Sequence, residues 1–402
     1  MRIWEEENQC YVRAAMEQNT PEENEALRKR LEEIDWSVFE HIERKETVNE
    51  RGVFAPLEAV ELAEIKARET EFREIGLEAV RAGKVGAVLL AGGQGTRLGL
   101  DRPKGTLNIG INRELYLFEQ LIRNLTDVTD EAGAYLPLYI MTSNINHDDT
   151  KAFFEEHGYF GYPENQVKFF VQEMEPACDY EKRILMESAT EPAMSPNGNG
   201  GWFGSMVNAG LLDDIHGKGL EWINVFAVDN CLQRIADPLF IGATIAYGRQ
   251  SGAKVVRKAA PDEKVGVLCT EDGRPSIAEY YEMTTEMATA RKENGDLLYG
   301  FGVILNYLFA EKKLEEIADA QMPIHVVEKK IPYRDVDGTY VKPEAPNGYK
   351  FETLVLDMVH MMDDCLPYEV DRAREFAPIK NLHGVDSLDS ARELLKGCSV
   401  EL

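Results

Sequence analysis

Through the first eighty residues apolar positions recur at the three- and four-residue spacing of one helix face. Thr20-Pro21-Glu22-Glu23 predicts a helix start. Thr serves as N-cap, Pro takes the first helical position and Glu23 closes a capping box. Leu27, Leu31, Ile34 and Val38 then follow at helical spacing, with charges between them. A second helical stretch carries Phe72, Ile75 and Val80 and stops at Gly83. From Lys84 the pattern changes to short β-branched runs at Val85–Leu90, Leu138–Met141, Val167–Val171, Ile223–Val228, Val255–Val256, Val265–Cys269 and Ile324–Val327. Helical or polar stretches separate several of them, which predicts an α/β fold with largely buried strands. Glu181–Pro196 and Tyr281–Asp296 read as irregular excursions. A helix is expected over Phe351–Met362, with Phe351, Leu354, Val355, Met358 and Met362 on one face, and a shorter one near Ala391–Leu395.

The length of 402 residues suggests two or three domains around one main fold. Lys and Arg number 44 against 71 Asp and Glu, a net charge of −27. That field repels nucleic acid and anionic membrane surfaces, so neither is an expected partner. An anionic substrate would need a local cluster of cations. The six cysteines are scattered and form no CxxC pair, as expected in a reducing compartment. The acidic start MRIWEEENQC lacks the pattern of a signal peptide, and no apolar run approaches the roughly 18 residues of a membrane span. A cytoplasmic location follows as the expectation.

The stretch Val88-Leu89-Leu90-Ala91-Gly92-Gly93-Gln94-Gly95-Thr96-Arg97-Leu98-Gly99 holds most of the candidate chemistry. A buried strand runs into three glycines within four positions and then an Arg. Such a backbone can approach a ligand closely and turn successive N–H groups toward phosphate oxygens. A dinucleotide fingerprint counted from Gly93 would need Gly or Ala where Leu98 stands. A P-loop would need Gly before its Lys, but Pro103 precedes Lys104 and Gly105 follows. Neither fits. Two cations, Arg97 and Lys104, beside a glycine loop suit a triphosphate better than a redox dinucleotide.

LAGGQGTRLG followed by PKG resembles the signature of the UDP-sugar pyrophosphorylases, UTP-dependent uridylyltransferases, and most closely those of the UDP-N-acetylglucosamine type. The resemblance continues in order through Phe169–Ala177, Pro196–Gly201, Val228-Asp229-Asn230, Lys264–Val267, Glu279-Tyr280, Glu328–Tyr333, Lys342-Pro343 with Pro346–Gly348, and Glu375–Asn381. It therefore covers nearly the whole chain.

The resemblance implies a Rossmann-like mixed sheet of the nucleotidyltransferase type, with a helical N-terminal segment over 1–83, a catalytic domain over 84–382 and a short tail over 383–402. It implies a reaction of UTP with a sugar 1-phosphate, N-acetylglucosamine 1-phosphate first, giving UDP-sugar and pyrophosphate. Leu90, Ala91, Gly92, Gly93 and Gly95 would form the nucleotide loop. Arg97 would neutralise the departing phosphates, Lys104 the α-phosphate and incoming sugar phosphate, and Lys380 would return to the phosphates. Gln172, Gly198 and Asn199 would read uracil and ribose, with Asn199 also grouped with Glu279, Tyr280 and Asn306 on the sugar. Asp229 follows an apolar strand, where α/β sheets bind ligands, and would hold Mg²⁺. On residues alone, Asp229 and Asn230 fit a turn cap as well as a metal site.

The pattern departs from the family in two places. Along Tyr299–Phe309, Gly300 and Val303 stand where the acetylglucosamine enzymes carry asparagines, leaving Asn306. UDP-glucose or UDP-galactose formation is thus an alternative, and a nucleotide-binding protein without turnover is another. The chain ends 22 residues after Lys380, so the family's C-terminal domain is expected to be absent. The oligomeric state stays open.

Overall fold

A computed structural model describes residues 2–44, 51–318 and 322–402. The expected helical segment at 45–50 lies outside the described residues. The chain forms two compact units, each built from separated stretches: 1–51, 173–201 and 322–355 in the smaller, and 52–172, 202–321 and 356–402 in the larger. Compactness therefore does not follow the consecutive division at 83 and 382, because residues far apart in sequence share each core.

Among the described residues the larger unit holds a ten-stranded mixed sheet. Its strands are β1 (Phe54–Pro56), β2 (Val85–Leu90), β3 (Leu138–Thr142), β4 (Val167–Val171), β5 (Trp222–Ala227), β6 (Ser251–Arg257), β7 (Val267–Glu271), β8 (Arg274–Ala278), β9 (Phe301–Ala310) and β10 (Leu366–Glu369). The order is β1-β7-β9-β5-β2-β3-β4; β8 pairs with β7, and β6 pairs with β9 and β10. β5, β2, β3 and β4 run parallel, while β9 lies antiparallel to β5 and β7 antiparallel to β9.

Every residue of β2 is buried, as expected of a strand covered on both faces. Phe118, Leu121 and Leu125 of helix Leu117–Ala132 and Phe153 and Phe154 of helix His147–Glu156 join the core around it. Helices Glu69–Arg81 and Pro238–Ala246 touch backbone to backbone: a Cβ on Gly242 would stand 1.7 Å from the Phe72 carbonyl oxygen.

β2 and β4 have the bounds read from the sequence. β1, β8, β9 and β10 were not foreseen. In β9, Gly302 and Asn306 interrupt the apolar run and blur its period.

In the smaller unit, helix Pro21–Glu33 starts as expected. Thr20 Oγ1 accepts from the Glu23 N–H, and Glu23 accepts from the Thr20 N–H at 2.8 Å. It ends sooner than expected, with Ile34 as C-cap and Val38 in a separate short turn at Trp36–Phe39. Phe351 is also corrected. It lies on strand Gly348–Glu352, and the helix begins at Val355. That strand pairs with His325–Lys329 and Cys178–Asp179, and the Phe351 ring stacks on Phe39 at 5.5 Å. Val12, Leu27, Leu31, Cys178 and Met186 complete this core. No helix among the described residues is long and apolar enough to cross a membrane.

Candidate active site

Because β5, β2, β3 and β4 are parallel neighbours, their carboxyl ends lie along one edge of the sheet, where open α/β sheets take ligands. From these ends emerge the glycine loop after β2, Ser143–Asn146 after β3, Gln172 after β4 and Val228–Asn230 after β5. Hydrogen bonds hold the segments together. The Ala91 N–H donates to the Met141 carbonyl at 2.8 Å, and the Val228 N–H to the Leu90 carbonyl at 3.2 Å.

Asn146, fully buried, clamps the loop. Its Nδ2 donates to the Ala91 carbonyl at 3.0 Å and the Gly93 carbonyl at 3.4 Å, while Oδ1 accepts from the Ser143 N–H at 2.8 Å. The Gly95 N–H donates to the Arg102 carbonyl at 3.1 Å, and the Lys104 N–H to the Gly93 carbonyl at 3.2 Å. Lys104 is thereby tied to the loop by backbone. Gly105 lies flat on Phe118, where a Cβ would meet the ring at 2.2 Å. Gln172 is buried against Gly92; a Cβ there would stand 2.8 Å from its Oε1. Among the described residues, the Gly92 and Gly93 N–H groups donate no hydrogen bond and remain available to an anion.

Lys104 meets three other charges here. Lys104 is half-buried, and burial is the largest cause lowering its pKa; Asp229 pulls it back up, and Lys380 and Arg97 push it down again. Arg97 is exposed on the short turn Thr96–Leu98. Lys380 comes from the far end of the sequence but pairs beside β5: the Ile379 N–H donates to the Asp229 carbonyl at 2.9 Å, and Asn230 bridges to Pro378. The Lys380 ammonium donates to Asp386 at 3.0 Å. A glycine loop, three cations and the carboxylates of Asp229 and Asp386 meet along this edge.

The sequence model of the UTP–glucose-1-phosphate uridylyltransferase family matches residues 22–394. The chain belongs to this family. It is 39% identical over 333 residues to UDP-N-acetylhexosamine pyrophosphorylase-like protein 1 of Homo sapiens, covering 81% of this chain and 64% of that protein. It is 39% identical over 327 residues to the UDP-N-acetylglucosamine pyrophosphorylase of Saccharomyces cerevisiae, covering 78% and 68%. Among solved structures, the uridine diphosphate N-acetylglucosamine pyrophosphorylase of Trypanosoma brucei, in complex with inhibitor, superposes with a TM-score of 0.83 at 26% identity, over 98% of this chain and 82% of that one. The α/β mixed sheet is thus that of the nucleotidyltransferase-type pyrophosphorylases.

The remaining candidate residues of this uridylyltransferase-family chain stand on other elements. Glu279 follows β8, its carboxylate 3.5 Å from where a Gly266 Cβ would stand. Tyr280 is exposed, edge-on to Tyr281 with ring centroids 5.2 Å apart. Gly198 and Asn199 belong to the smaller unit. There Gly198 adopts φ +88° against Thr353, and Asn199 Oδ1 accepts from the Val355 N–H at 3.0 Å. Asn306 does not open onto the loop. It is fully buried on β9; its Oδ1 accepts from Asn224 Nδ2 at 2.8 Å and its Nδ2 donates to Gln233 Oε1 at 3.2 Å. Its place inside an apolar strand was the signal for a core amide. Asn146 is the residue that the sequence reading misses, although it follows a parallel strand; Asn230 enters that reading only as a turn cap or part of a metal site.

Proposed function

We propose that this protein is a uridylyltransferase that converts UTP and N-acetylglucosamine 1-phosphate to UDP-N-acetylglucosamine and pyrophosphate. The observation that carries the reading is Lys104, half-buried beside the glycine loop within electrostatic reach of Lys380, Arg97 and Asp229. The names of the relatives support the sugar. The β-to-loop edge supports UTP as nucleotide, with Gln172 offering an amide to uracil.

A sugar-phosphate oxygen attacks the α-phosphorus, and pyrophosphate departs opposite. The bond from α-phosphorus to the bridging oxygen breaks as the new one forms. The chain supplies positioning and charge. The loop N–H groups of Gly92 and Gly93 hold phosphate oxygens, Lys104 neutralises the α-phosphate and the incoming phosphate, and Arg97 and Lys380 take up charge on the leaving pyrophosphate.

Asp229 presents one hard carboxylate at the strand end. Among the described residues the metal-competent cluster of three, His216, Glu311 and Glu315, lies elsewhere. One carboxylate with phosphate oxygens and water suits Mg²⁺, which would neutralise phosphate charge when bound. We place the protein in the cytoplasm, a reading supported by six free cysteines.

A second reading, UDP-glucose or UDP-galactose formation, is favoured by Gly300 and Val303 and by the glucose 1-phosphate of the family description. The deciding measurement is pyrophosphate release from UTP and Mg²⁺ with N-acetylglucosamine, N-acetylgalactosamine, glucose and galactose 1-phosphates in parallel. The acetylglucosamine substrate should release most, and K104A should lower that rate by about 100-fold or more. Preference for a hexose phosphate would support the second reading. Silence with all four, in protein that binds UTP, would overturn transfer.

A further inference from the structure

The site depends on two stretches of chain about 150 residues apart, fastened by the Asn230 amide, by the Cys231 thiol on the Ala377 carbonyl at 3.3 Å and by backbone bonds. Asn230, 2% exposed, faces the Glu375–Lys380 segment. Its Oδ1 accepts from the Ala377 N–H at 2.9 Å and the Leu232 N–H at 3.4 Å, and its Nδ2 donates to the Glu375 carbonyl at 2.7 Å. Backbone bonds continue the seam: Cys231 N–H to the Ala377 carbonyl at 3.3 Å and Ile379 N–H to the Asp229 carbonyl at 2.9 Å. Gln233 braces the turn from behind, its Nε2 donating to the Ala227 carbonyl at 2.7 Å and the Asn230 carbonyl at 2.9 Å. Asn230 thus uses both ends of its amide on backbone groups of one foreign segment, a pattern that fixes register as well as distance. One residue before it stands Asp229. Three residues beyond the Ala377 contact stands Lys380. Both charges act on Lys104.

We propose that Asn230 is a positioning residue for nucleotidyl transfer, holding Lys380 at its working distance from Asp229 and Lys104. This rests on the functional reading above. A side chain this buried also contributes to stability, so loss of activity in one variant is not diagnostic. A double-mutant cycle separates the roles, because a positioning residue has nothing left to position once Lys380 is gone. Wild type, N230A, K380A and N230A/K380A are compared by kcat/KM for pyrophosphate release and by the Kd for UTP in calorimetry, with thermal midpoints alongside.

The expected result is that N230A alone loses about tenfold or more in kcat/KM, while adding N230A to K380A costs less than about threefold. The Kd for UTP should follow the same non-additive pattern. Multiplicative losses, or a folded N230A with wild-type kcat/KM and Kd, would overturn the proposal. Should N230A fail to fold, N230D enters the same cycle, since it keeps the acceptor for the Ala377 N–H and loses the donor to the Glu375 carbonyl. If wild type binds UTP without turnover, the transfer reading fails, and the cycle in Kd still decides whether Asn230 positions Lys380. If wild type binds no UTP, both fall.

Discussion

Lys104 is a cation partly withdrawn from water with two further cations near it, so its charged form is held less firmly than that of an exposed lysine. Its pKa lies below the ordinary lysine value, burial first and then Lys380 and Arg97 outweighing the pull of Asp229. The proposed chemistry needs the ammonium. The alkaline limb of kcat/KM, which reports the free enzyme, should therefore fall below the usual lysine range. Bound phosphates favour the charged form, so the limb of kcat should lie at higher pH. K104R keeps its charge at every accessible pH and should lose that limb, with reduced activity because a planar fork replaces a point charge. An alkaline limb unchanged in K104R would assign it to another group.

The glycine loop is short, but its conformation is imposed by an element that shares no sequence neighbourhood with it. Asn146, in the turn after β3, donates to the Ala91 carbonyl, so N146A should leave that buried carbonyl, with the Ser143 N–H, short of partners. A loss of about 1–3 kcal/mol in urea denaturation is expected, with weakened UTP affinity. An N146A protein with wild-type UTP affinity would show that the loop holds its shape unaided. The helix pair Glu69–Arg81 and Pro238–Ala246 depends on close approach in the same way. G242A drives a Cβ into the Phe72 carbonyl at 1.7 Å. Backbone cannot yield as a side chain does, so a loss of about 1–3 kcal/mol is expected from chemical denaturation, with UTP affinity kept.

Across the whole larger unit, the charges at the ligand edge are backed by a buried ionic cluster. Lys254, 0% exposed, donates to Asp237 at 3.0 Å, Glu375 at 2.5 Å and the Arg234 carbonyl at 3.1 Å. Removing the cation leaves two carboxylates without it, so K254A should cost about 3–5 kcal/mol in urea denaturation near neutral pH. Burial already raises the pKa of Glu375, with Lys254 opposing that shift. Without Lys254 the folded value rises further above the unfolded one. The protonated carboxyl is then the form the fold tolerates, so the K254A deficit should narrow as pH falls and widen as it rises. A deficit independent of pH would point to lost packing instead.

The sequence by itself determined the features that depend on a few neighbouring residues. The Thr20 capping box, the wholly apolar β2 and the loop from Ala91 to Gly105 are legible because caps, strand burial and glycine geometry act over a few positions. The ordered motifs went further and indicated the family. Only the tertiary structure decided which distant segments meet: that Lys380 lies along Asp229, that the smaller unit gathers three separated stretches, and that Phe351 belongs to a strand. It also decided what each amide does. Asn146 and Asn230 fasten the ligand edge, whereas Asn306 is spent in the core. An amide offers the same donors and acceptors to a ligand, a loop or a neighbouring strand, and only packing determines which of them lies within hydrogen-bond reach.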